Sequence, residues 1–325
     1  MTGDPPEDVH DALASHDDDY EVRRELPSRD SHGVYEVTLD GTRAVCKVAR
    51  GEDAHVGRHA LVTEHVRDRT TTPTPRVLGF GDGHAVFQWS EGVAYEAEAP
   101  RELRKRRLRN AGVTLARLHE ETDSDAHGYL RTRGERLELD SKGAWSDVLA
   151  TIVEGWTDDL EGTRFEAAGV VVLEFVRDHD DALDAADGPD LVHGDYQPEN
   201  VRFDGTRVAA VLDWEFSLVG SGEFDLCRAE REFFDWHDAP EGDASDDEDL
   251  RRALRNGYES VRPLTPGFEA RCRVYRAVLK LDPMRFFDEW KAQVENPDAM
   301  AESMCEFVRK SVADARDAFE RDEKA

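Results

Sequence analysis

The feature that most constrains the fold is residues 190–215, where a polar loop leads into two short apolar runs separated by a turn. The alternating residues 201–203, the turn signal Asp204-Gly205-Thr206 and the apolar residues 208–212 predict a β-hairpin over 201–212. Because a hairpin returns the chain to its starting point, Asp213 should lie close to the loop that precedes the first strand.

Three oxygen-bearing side chains flank this hairpin: Asp195, Asn200 five positions later, and Asp213. Carboxylate and amide oxygens are ligands that Mg²⁺ accepts together with phosphate oxygens. One carboxylate would remain available as a base. We therefore interpret the segment as a reactive site, and an ordinary β-turn with solvated carboxylates is the alternative.

An Asp in a catalytic loop, an Asn five residues later and a metal-binding Asp after a short hairpin also occur together in protein kinases. Protein kinases have His-Arg-Asp and Asp-Phe-Gly at these places, whereas this chain has His193-Gly194-Asp195 and Asp213-Trp214-Glu215. In these variants the sequence resembles the aminoglycoside phosphotransferase and choline kinase group, the small-molecule branch of the kinase-like fold. The resemblance covers roughly residues 24–237.

The resemblance implies an α+β, two-lobed protein-kinase-like fold, with ATP and Mg²⁺ between an antiparallel sheet lobe and a mostly helical lobe. Asp195 would then be the catalytic residue that orients the acceptor hydroxyl and takes its proton, and Asn200 and Asp213 would hold Mg²⁺. His193 would support the loop, and Asp225 would tie the next helix to it. The expected reaction is transfer of the γ-phosphoryl group of ATP to a hydroxyl group.

Lys47 lies within the apolar strand 44–48, where an ammonium group is costly to bury unless it has a partner. The resemblance implies that Lys47 binds the α- and β-phosphates and pairs with a helix Glu. Glu64, in the helix predicted over 57–69, is the best candidate for that partner. The alternatives are an edge-strand lysine that faces solvent and a solvated glutamate.

Two further segments are expected to contact the nucleotide. The loop Ser31-His32-Gly33 stands where related folds cover the ATP phosphates, although it holds a single Gly. Residues 88–92 stand where the hinge between the lobes binds adenine through backbone groups, and they include Gln88, Trp89 and Ser90. Core packing is the alternative role for Trp89.

The remaining pattern divides the chain at this hinge. Residues 1–20 are acidic and are expected to be frayed, residues 21–92 to form the nucleotide-binding lobe, and residues 93–325 to form the catalytic and substrate lobe. Residues 127–142 look turn-like, and 238–249 look like an acidic loop. Apolar spacing predicts helices over residues 57–69, 101–120, 144–160, 165–186, 250–260, 266–290 and 298–322.

The chain has 325 residues and a formal net charge of −30, and of its 42 basic residues 7 are Lys and 35 are Arg. Disorder is one interpretation of such acidity, but 6 Trp, 14 Phe and the apolar periodicity argue against it. We interpret the composition as a halophilic surface, because in molar salt the Debye length falls to about 3 Å and crowded carboxylates repel one another less. The acidity also makes nucleic acids and anionic membranes poor partners.

The four cysteines, Cys46, Cys227, Cys272 and Cys305, are far apart in the sequence and are expected to be buried free thiols. The first 20 residues lack the apolar core of a signal peptide, and no run of 18 apolar residues occurs. These features favour a cytoplasmic protein.

The acceptor is expected to be a small molecule. Only residues 214–223 separate Asp213 from the next predicted helix, too few for the peptide platform that ends in Ala-Pro-Glu in protein kinases. The charge points toward a cationic acceptor such as an aminoglycoside or an amino alcohol, although a uniformly acidic surface says little about one pocket. Sugars, nucleoside-like compounds and amino-acid alcohols stay open.

Two other functions compete with this interpretation. A catalytically silent nucleotide-binding or scaffold protein of the pseudokinase type usually lacks the lysine, the base or a metal ligand, and candidates for all of them are present here. A metal-dependent phosphohydrolase that uses carboxylates alone would leave Lys47 unexplained.

Overall fold

The computed structural model describes residues 6–28, 32–51, 55–234 and 244–322. These residues form a smaller lobe built on one sheet and a larger, mostly helical lobe. The elements of the smaller lobe are α1 (Glu7–Ala14), β1 (Tyr20–Glu25), β2 (His32–Leu39), β3 (Thr42–Ala49), α2 (Val56–Arg69), β4 (Val77–Gly81) and β5 (His84–Gln88).

The strands of the smaller lobe pair in the order β1-β2-β3-β5-β4, and every pair is antiparallel. Asp40 and Gly41, which join β2 to β3, both have positive φ (45° and 67°). A two-residue turn of this kind matches the right-handed twist of a hairpin. The register that follows places Lys47 opposite Val34 on one side and Ala85 on the other.

The acidic N-terminus is more ordered than the sequence suggested. Residues 1–5 lie outside the described part of the chain, but Glu7–Ala14 form helix α1 instead of a frayed segment. Val9, Ala12 and Leu13 recur at helical spacing, and they are buried against Val37 and Cys46 of the sheet. Exposed acidic residues between them hid this apolar stripe from the composition-based prediction.

The larger lobe contains a helical core and two small sheets. Its elements are α3 (Arg101–Glu120), β6 (His127–Arg133), β7 (Arg136–Gly143), α4 (Trp145–Asp159), α5 (Glu166–Asp178), α6 (Asp180–Asp184), β8 (Asp190–Val192), β9 (Val201–Asp204), β10 (Arg207–Val211), β11 (Leu218–Gly220), α7 (Gly222–Phe234), α8 (Ala244–Glu259), α9 (Phe268–Arg285), α10 (Phe287–Trp290), a 3₁₀ turn (Lys291–Gln293) and α11 (Pro297–Asp322).

Glycines allow α3 and α8 to pack at very short range. A Cβ atom on Gly112 of α3 would lie 2.0 Å from the carbonyl oxygen of Leu254, and one on Gly257 of α8 would lie 2.0 Å from that of Arg109. No side chain fits at either position, so the two backbones approach directly. This contact fixes α8 beside α3 and places Tyr258 next to His119.

Three predicted segments of the larger lobe differ in the structure. Residues 127–142 are not turn-like: β6 and β7 form a hairpin that joins β11 and β8 in one sheet. The helix predicted over 165–186 is interrupted at His179, where φ is −131° and ψ is 36°. Residues 244–249 of the predicted acidic loop begin α8, while residues 235–243 lie outside the described part.

Cys46, Cys227 and Cys272 are buried free thiols as predicted, whereas Cys305 is half-buried. The residues that the structure describes hold no group of three or more His, Cys, Asp or Glu side chains arranged to bind a metal ion by themselves. Within the same residues, no helix is both long and apolar enough to cross a membrane.

Candidate active site

The predicted hairpin is present and positions two of the three oxygen-bearing side chains, Asn200 and Asp213, which are the predicted metal ligands. Strands β9 and β10 pair antiparallel, with Val201 opposite Val211. Just beyond the strands, the amide of Leu212 donates to the carbonyl oxygen of Asn200 at 2.8 Å. Asn200 and Asp213 therefore stand at the same open end of the hairpin, and Asp213 turns away from β10 with a positive φ of 64°.

Asp225 of α7 holds the loop that precedes the hairpin. Its two carboxylate oxygens accept hydrogen bonds from the amides of His193 (2.7 Å) and Gly194 (3.0 Å). His119 lies 3.2 Å from the same carboxylate and contacts Tyr258 through its other ring nitrogen. Burial opposes the ionisation of Asp225, but hydrogen bonding and charge at His119 and His193 lower its pKa. Asp225 thus fastens the loop to α7, as the sequence resemblance implied.

His193 connects the loop to the hairpin. Its Nδ1 accepts a hydrogen bond from the amide of Asp195 at 3.1 Å, so its Nε2 carries the proton and donates to the carbonyl oxygen of Leu212 at 2.8 Å. The ring also packs against Trp214 with 4.5 Å between centroids. Burial lowers the pKa of His193, and both ring nitrogens are engaged, so this histidine supports the loop.

The two oxygens of Asp195 have different surroundings. Oδ2 accepts hydrogen bonds from the side-chain amides of Gln197 (2.8 Å) and Asn200 (2.9 Å). Oδ1 accepts none from the described residues, and the cation closest to it in the described structure is Arg228, at 3.6 Å. One oxygen is therefore fixed by the loop while the other is open to an acceptor.

Lys47 of β3 reaches across to the larger lobe. Its ammonium donates to Oδ1 of Asp213 at 2.8 Å, and His59 of α2 lies 3.8 Å from the same oxygen. Burial opposes the ionisation of Asp213, but the positive charge of Lys47 and the neighbouring His59 lower its pKa to about 2. The Lys47–Asp213 ion pair therefore lies in the cleft between the lobes.

The predicted pairing of Lys47 with Glu64 is wrong for this structure. The ion pair of Lys47 among the described residues is with Asp213, and no contact joins it to Glu64. His59 and Glu64 are five positions apart on the helix, about 500° of rotation, or about 140° beyond one full turn. Their side chains therefore point in different directions. Partial burial and the charge of Asp68 raise the pKa of Glu64, which would not happen beside an ammonium group.

His59 occupies the place that was predicted for Glu64. Its side chain is buried, its ring stacks on Phe87 with 4.5 Å between centroids, and its Nδ1 has no hydrogen-bond partner in the described structure. Burial and the charge of Lys47 hold the pKa of His59 well below its usual range, so the imidazole is neutral. Because half of the residues of α2 are buried, no sequence signal distinguished His59 from Glu64, and His59 was missed.

The loop over the cleft is only partly described. Ser31 lies outside the described residues. His32 begins β2 and contacts Glu215 of the Asp213-Trp214-Glu215 segment at 3.3 Å, and Gly33 pairs with Val48 of β3. Burial and the charge of Lys47 lower the pKa of His32. The start of strand β2 therefore contacts the larger lobe beside the Lys47–Asp213 pair.

The predicted hinge residues lie at the end of β5. Gln88 is exposed, Ser90 is half-buried, and Trp89 is covered by the guanidinium of Arg43, 3.7 Å from the ring centroid. Trp89 is thus a half-buried stacking residue and not part of the core.

The chain beyond the predicted hinge pairs with the β9–β10 hairpin. Val93 exchanges two backbone hydrogen bonds with Phe203 of β9, of 3.0 and 2.7 Å. Gly92 has φ of 112°, and a Cβ atom there would lie 2.8 Å from the carbonyl oxygen of Phe203. The connection between the lobes is therefore anchored to the same hairpin that carries Asn200 and Asp213.

Comparison with known proteins places this geometry in a family. Residues 23–264 match the sequence model of the phosphotransferase enzyme family. The chain belongs to this family. The homoserine kinase of Phenylobacterium zucineum (strain HLK1) is 29% identical to this phosphotransferase over 204 residues, which are 62% of this chain and 58% of that protein. The homoserine kinase of Neisseria meningitidis serogroup B (strain ATCC BAA-335 / MC58) is 36% identical over 75 residues, or 23% of each protein. The phosphotransferase thus spans just over half the length of the first relative and about a quarter of the second.

Solved structures share the fold. Aminoglycoside phosphotransferase APH(4)-Ia superposes with a TM-score of 0.67 at 17% identity, covering 92% of this chain and 96% of that chain. A thermostable mutant of the same enzyme, in a ternary complex with ADP and hygromycin B, gives a TM-score of 0.64 at 16% identity, over 89% and 93% of the two chains. The predicted α+β, two-lobed protein-kinase-like fold of the phosphotransferase is confirmed.

Proposed function

We propose that this phosphotransferase transfers the γ-phosphoryl group of Mg–ATP to a hydroxyl group of a small molecule. The observation that carries the proposal is the Lys47–Asp213 ion pair of 2.8 Å, held at the mouth of the hairpin that also carries Asn200 and follows Asp195. An ammonium for phosphates, two oxygen ligands and a free base oxygen meet in one cleft. The complex of APH(4)-Ia with ADP and hygromycin B supports a nucleotide and a small acceptor in this fold.

The residues present fit a bound Mg²⁺. Among the described residues, the amide oxygen of Asn200 and Oδ2 of Asp213 accept no hydrogen bond, so both are available as hard oxygen ligands. When bound, the ion would neutralise charge on the phosphates. Asn200 and Asp213 would hold it, with the side-chain amide of Asn200 already oriented by its bond to Asp195.

The protein groups supply binding and proton transfer. Lys47, which pairs with Asp213 here, would bind phosphate oxygens of ATP. Oδ1 of Asp195 would accept the proton of the acceptor hydroxyl. In the same step the hydroxyl oxygen would form its bond to the γ-phosphorus, and the bond from that phosphorus to the ADP oxygen would break. Positioning and charge stabilisation account for most of the rate enhancement in such transfers. His32, Gly33 and the hinge at Gln88–Ser90 would cover and seat the nucleotide, and we extend the same role to Ser31.

The direct experiment is a panel of hydroxyl compounds scored for acceptor-dependent ADP release, with Asp195→Asn as the inactive control. The panel should include hydroxy amino acids, amino alcohols, sugars and aminoglycosides, with generic protein substrates in a separate arm. Turnover of at least one small molecule, lost in Asp195→Asn, supports the proposal. Transfer to protein side chains alone would overturn the small-molecule acceptor, and ATP binding without any transfer would favour a scaffold protein.

A further inference from the structure

Arg228 is a largely buried cation beside the candidate base, Asp195. Its side chain is 13% exposed, and its Nη2 lies 3.6 Å from Oδ1 of Asp195 and 3.9 Å from Oδ2 of Asp282. Among the described residues it makes no hydrogen bond, and its Nε is buried without a partner. A guanidinium has five N–H donors, and leaving them unsatisfied in a buried place is costly.

The three fully buried arginines among the described residues do hydrogen-bond, although the Nε atoms of Arg58, Arg101 and Arg104 are also buried without a partner. Arg271 donates to both oxygens of Glu223 at 2.8 and 2.9 Å, Arg107 donates to the carbonyl oxygen of Gly205 at 3.0 Å, and Arg231 donates to that of Leu279 at 2.9 Å. Arg231 stands one turn from Arg228 on α7, so the helix can satisfy an arginine here. The open donors of Arg228 therefore indicate a partner that arrives with a ligand.

The acceptor must approach the same point. Because Oδ2 of Asp195 already accepts two hydrogen bonds, the acceptor hydroxyl has to approach Oδ1, about 2.7 Å away in a hydrogen bond. Arg228 faces that oxygen. An anionic group that accepts from Arg228 would thus lie only a few carbon atoms from the reacting hydroxyl.

Two of the acids near Arg228, Asp282 and Glu232, are paired with other arginines. Asp282 accepts from Arg285 at 3.2 Å and lies 3.6 Å from Arg231, and Glu232 lies 3.5 Å from Arg231. Asp282 and Glu232 thus each have another arginine at least as close, and Asp195 lies 3.6 Å from Arg228, beyond hydrogen-bond distance, so the N–H donors of Arg228 stay open to an incoming anion. Burial opposes its protonation, but the surrounding carboxylates raise the pKa of Arg228, so it stays charged.

The anion is not the transferred phosphoryl group. The charged groups that face Arg228 are Asp282, Asp195, Glu232 and Asp225, all of the larger lobe, whereas Asp213 is influenced by Lys47, His59 and His193. Arg228 contacts Asp195 and Asp282, whereas Lys47 pairs with Asp213, and among the described residues no contact joins Arg228 to that pair, so we infer that it lies on the acceptor side of Asp195. A planar guanidinium fork matches a carboxylate, which it binds through two parallel hydrogen bonds.

We propose that Arg228 binds a carboxylate of the acceptor, so that the substrate is a hydroxyl compound with a carboxylate a few carbon atoms from the reacting oxygen. This inference rests on the proposed function and narrows its acceptor to hydroxy acids and hydroxy amino acids. Neutral sugars and purely cationic amino alcohols, which would leave the guanidinium unsatisfied, are excluded as good substrates.

The test uses matched acceptors that differ only in a carboxylate or a neutral carboxamide: serine and serinamide, homoserine and homoserinamide, 4-hydroxybutyrate and its amide. We expect wild-type kcat/KM to favour a carboxylate by about 10²-fold within at least one pair. Arg228→Gln should abolish that preference, raise the acceptor KM and leave the ATP KM unchanged. Arg228→Lys keeps the positive charge but loses the planar guanidinium, so it should retain part of the preference for a carboxylate. Arg252→Gln, an exposed arginine of α8, is the matched control and should behave as wild type.

Two results would overturn the inference: equal use of a carboxylate and its amide by the wild type, or an unchanged preference in folded Arg228→Gln. If no compound supports ADP release, the proposed function fails. The role of Arg228 is then tested by calorimetric measurement of how tightly the same carboxylate and carboxamide compounds bind. Tighter binding of carboxylates that disappears in Arg228→Gln still supports the anion site, and no difference in binding rejects it. Should Arg228→Gln fail to fold, Arg228→Lys is judged by the same two readouts.

Discussion

Lys47 and Asp213 lie 166 residues apart in the sequence, and a hydrogen bond of 2.8 Å joins their charged groups across the two lobes. Each is the partner that the other needs in a partly buried cleft, and each is also a group that Mg–ATP would engage. The protein therefore holds the proposed phosphate-binding cation and the proposed metal-binding carboxylate against one another. Nucleotide binding would exchange this contact for contacts with phosphate and metal.

Removing the carboxylate of Asp213 should abolish the effect of Mg²⁺ on ATP binding. We expect Asp213→Ala to lose Mg²⁺-dependent ATP binding, because no other described carboxylate is shown to take its place beside Lys47. Calorimetric titration with ATP, with and without Mg²⁺, measures the effect. If Asp213→Ala binds Mg–ATP as tightly as the wild type, another residue holds the metal.

His59 and Glu64 on helix α2 provide a matched comparison. His59→Ala removes a buried ring that stacks on Phe87 and faces Asp213, so it should lower the free energy of unfolding by about 1–3 kcal/mol and raise the ATP KM. Glu64→Ala, on another face of the same helix, should change neither quantity appreciably. Denaturant unfolding and initial-rate kinetics measure both. A larger effect on the ATP KM from Glu64→Ala than from His59→Ala would instead favour the predicted pairing of Lys47 with Glu64.

The sequence predicted where Asp195, Asn200 and Asp213 meet better than it predicted the residues that contact Lys47. Asp195, Asn200 and Asp213 belong to one short segment whose hairpin is encoded locally by alternation and turn residues, so their meeting place follows from the local pattern. The partner of Lys47 depends on how α2 is rotated about its axis. Seven of its 14 residues are buried, so its pattern shows no clear inward face and cannot distinguish His59 from Glu64.

Other elements that the sequence analysis did not predict also lack a clear local pattern of hydrophobic residues. Strand β7 lies at the edge of its sheet and β6 pairs with it, and both carry exposed charged residues, so little hydrophobic alternation marks them. The acidic composition around Val9, Ala12 and Leu13 concealed helix α1. Arg228 lies between Cys227 and Ala229 in a buried helix, and an arginine within an apolar run is the signal that could have identified it.

Asp190 gives a pH-dependent test of the fold. Burial, opposed by His119 and Arg262, raises the pKa of Asp190 to about 6, above the ordinary value of 3.8. Between about pH 4 and pH 6 the folded protein keeps a proton that the unfolded chain has lost, so this group lowers stability as the pH rises. Two units correspond to about 3 kcal/mol at most. Asp190→Asn should remove this contribution.

The measurement is the free energy of unfolding of both proteins from pH 4 to pH 7. The wild type should lose stability relative to Asp190→Asn as the pH rises through this window, and the difference should level off above pH 6. A difference that is constant or rises with pH would show that burial does not raise the pKa of Asp190.

Salt should stabilise the protein if its charge is an adaptation to high ionic strength. With a net charge of −30, repulsion among exposed carboxylates weakens as the Debye length falls from about 10 Å at 0.1 M to about 3 Å at 1 M. We expect the thermal midpoint to rise steadily from low to molar KCl. A flat or falling midpoint would rule out the halophilic interpretation.

The central claim is that Asp195 is the base for transfer to a small-molecule hydroxyl, and Asp195→Asn tests it most directly. Asparagine preserves the size of the side chain and can still contact Gln197 and Asn200, but it cannot take a proton. Acceptor-dependent ADP release and ATP binding should be measured on the same preparation. The account predicts that turnover falls at least ~10²-fold while ATP affinity is retained. Near-normal turnover in folded Asp195→Asn would contradict it.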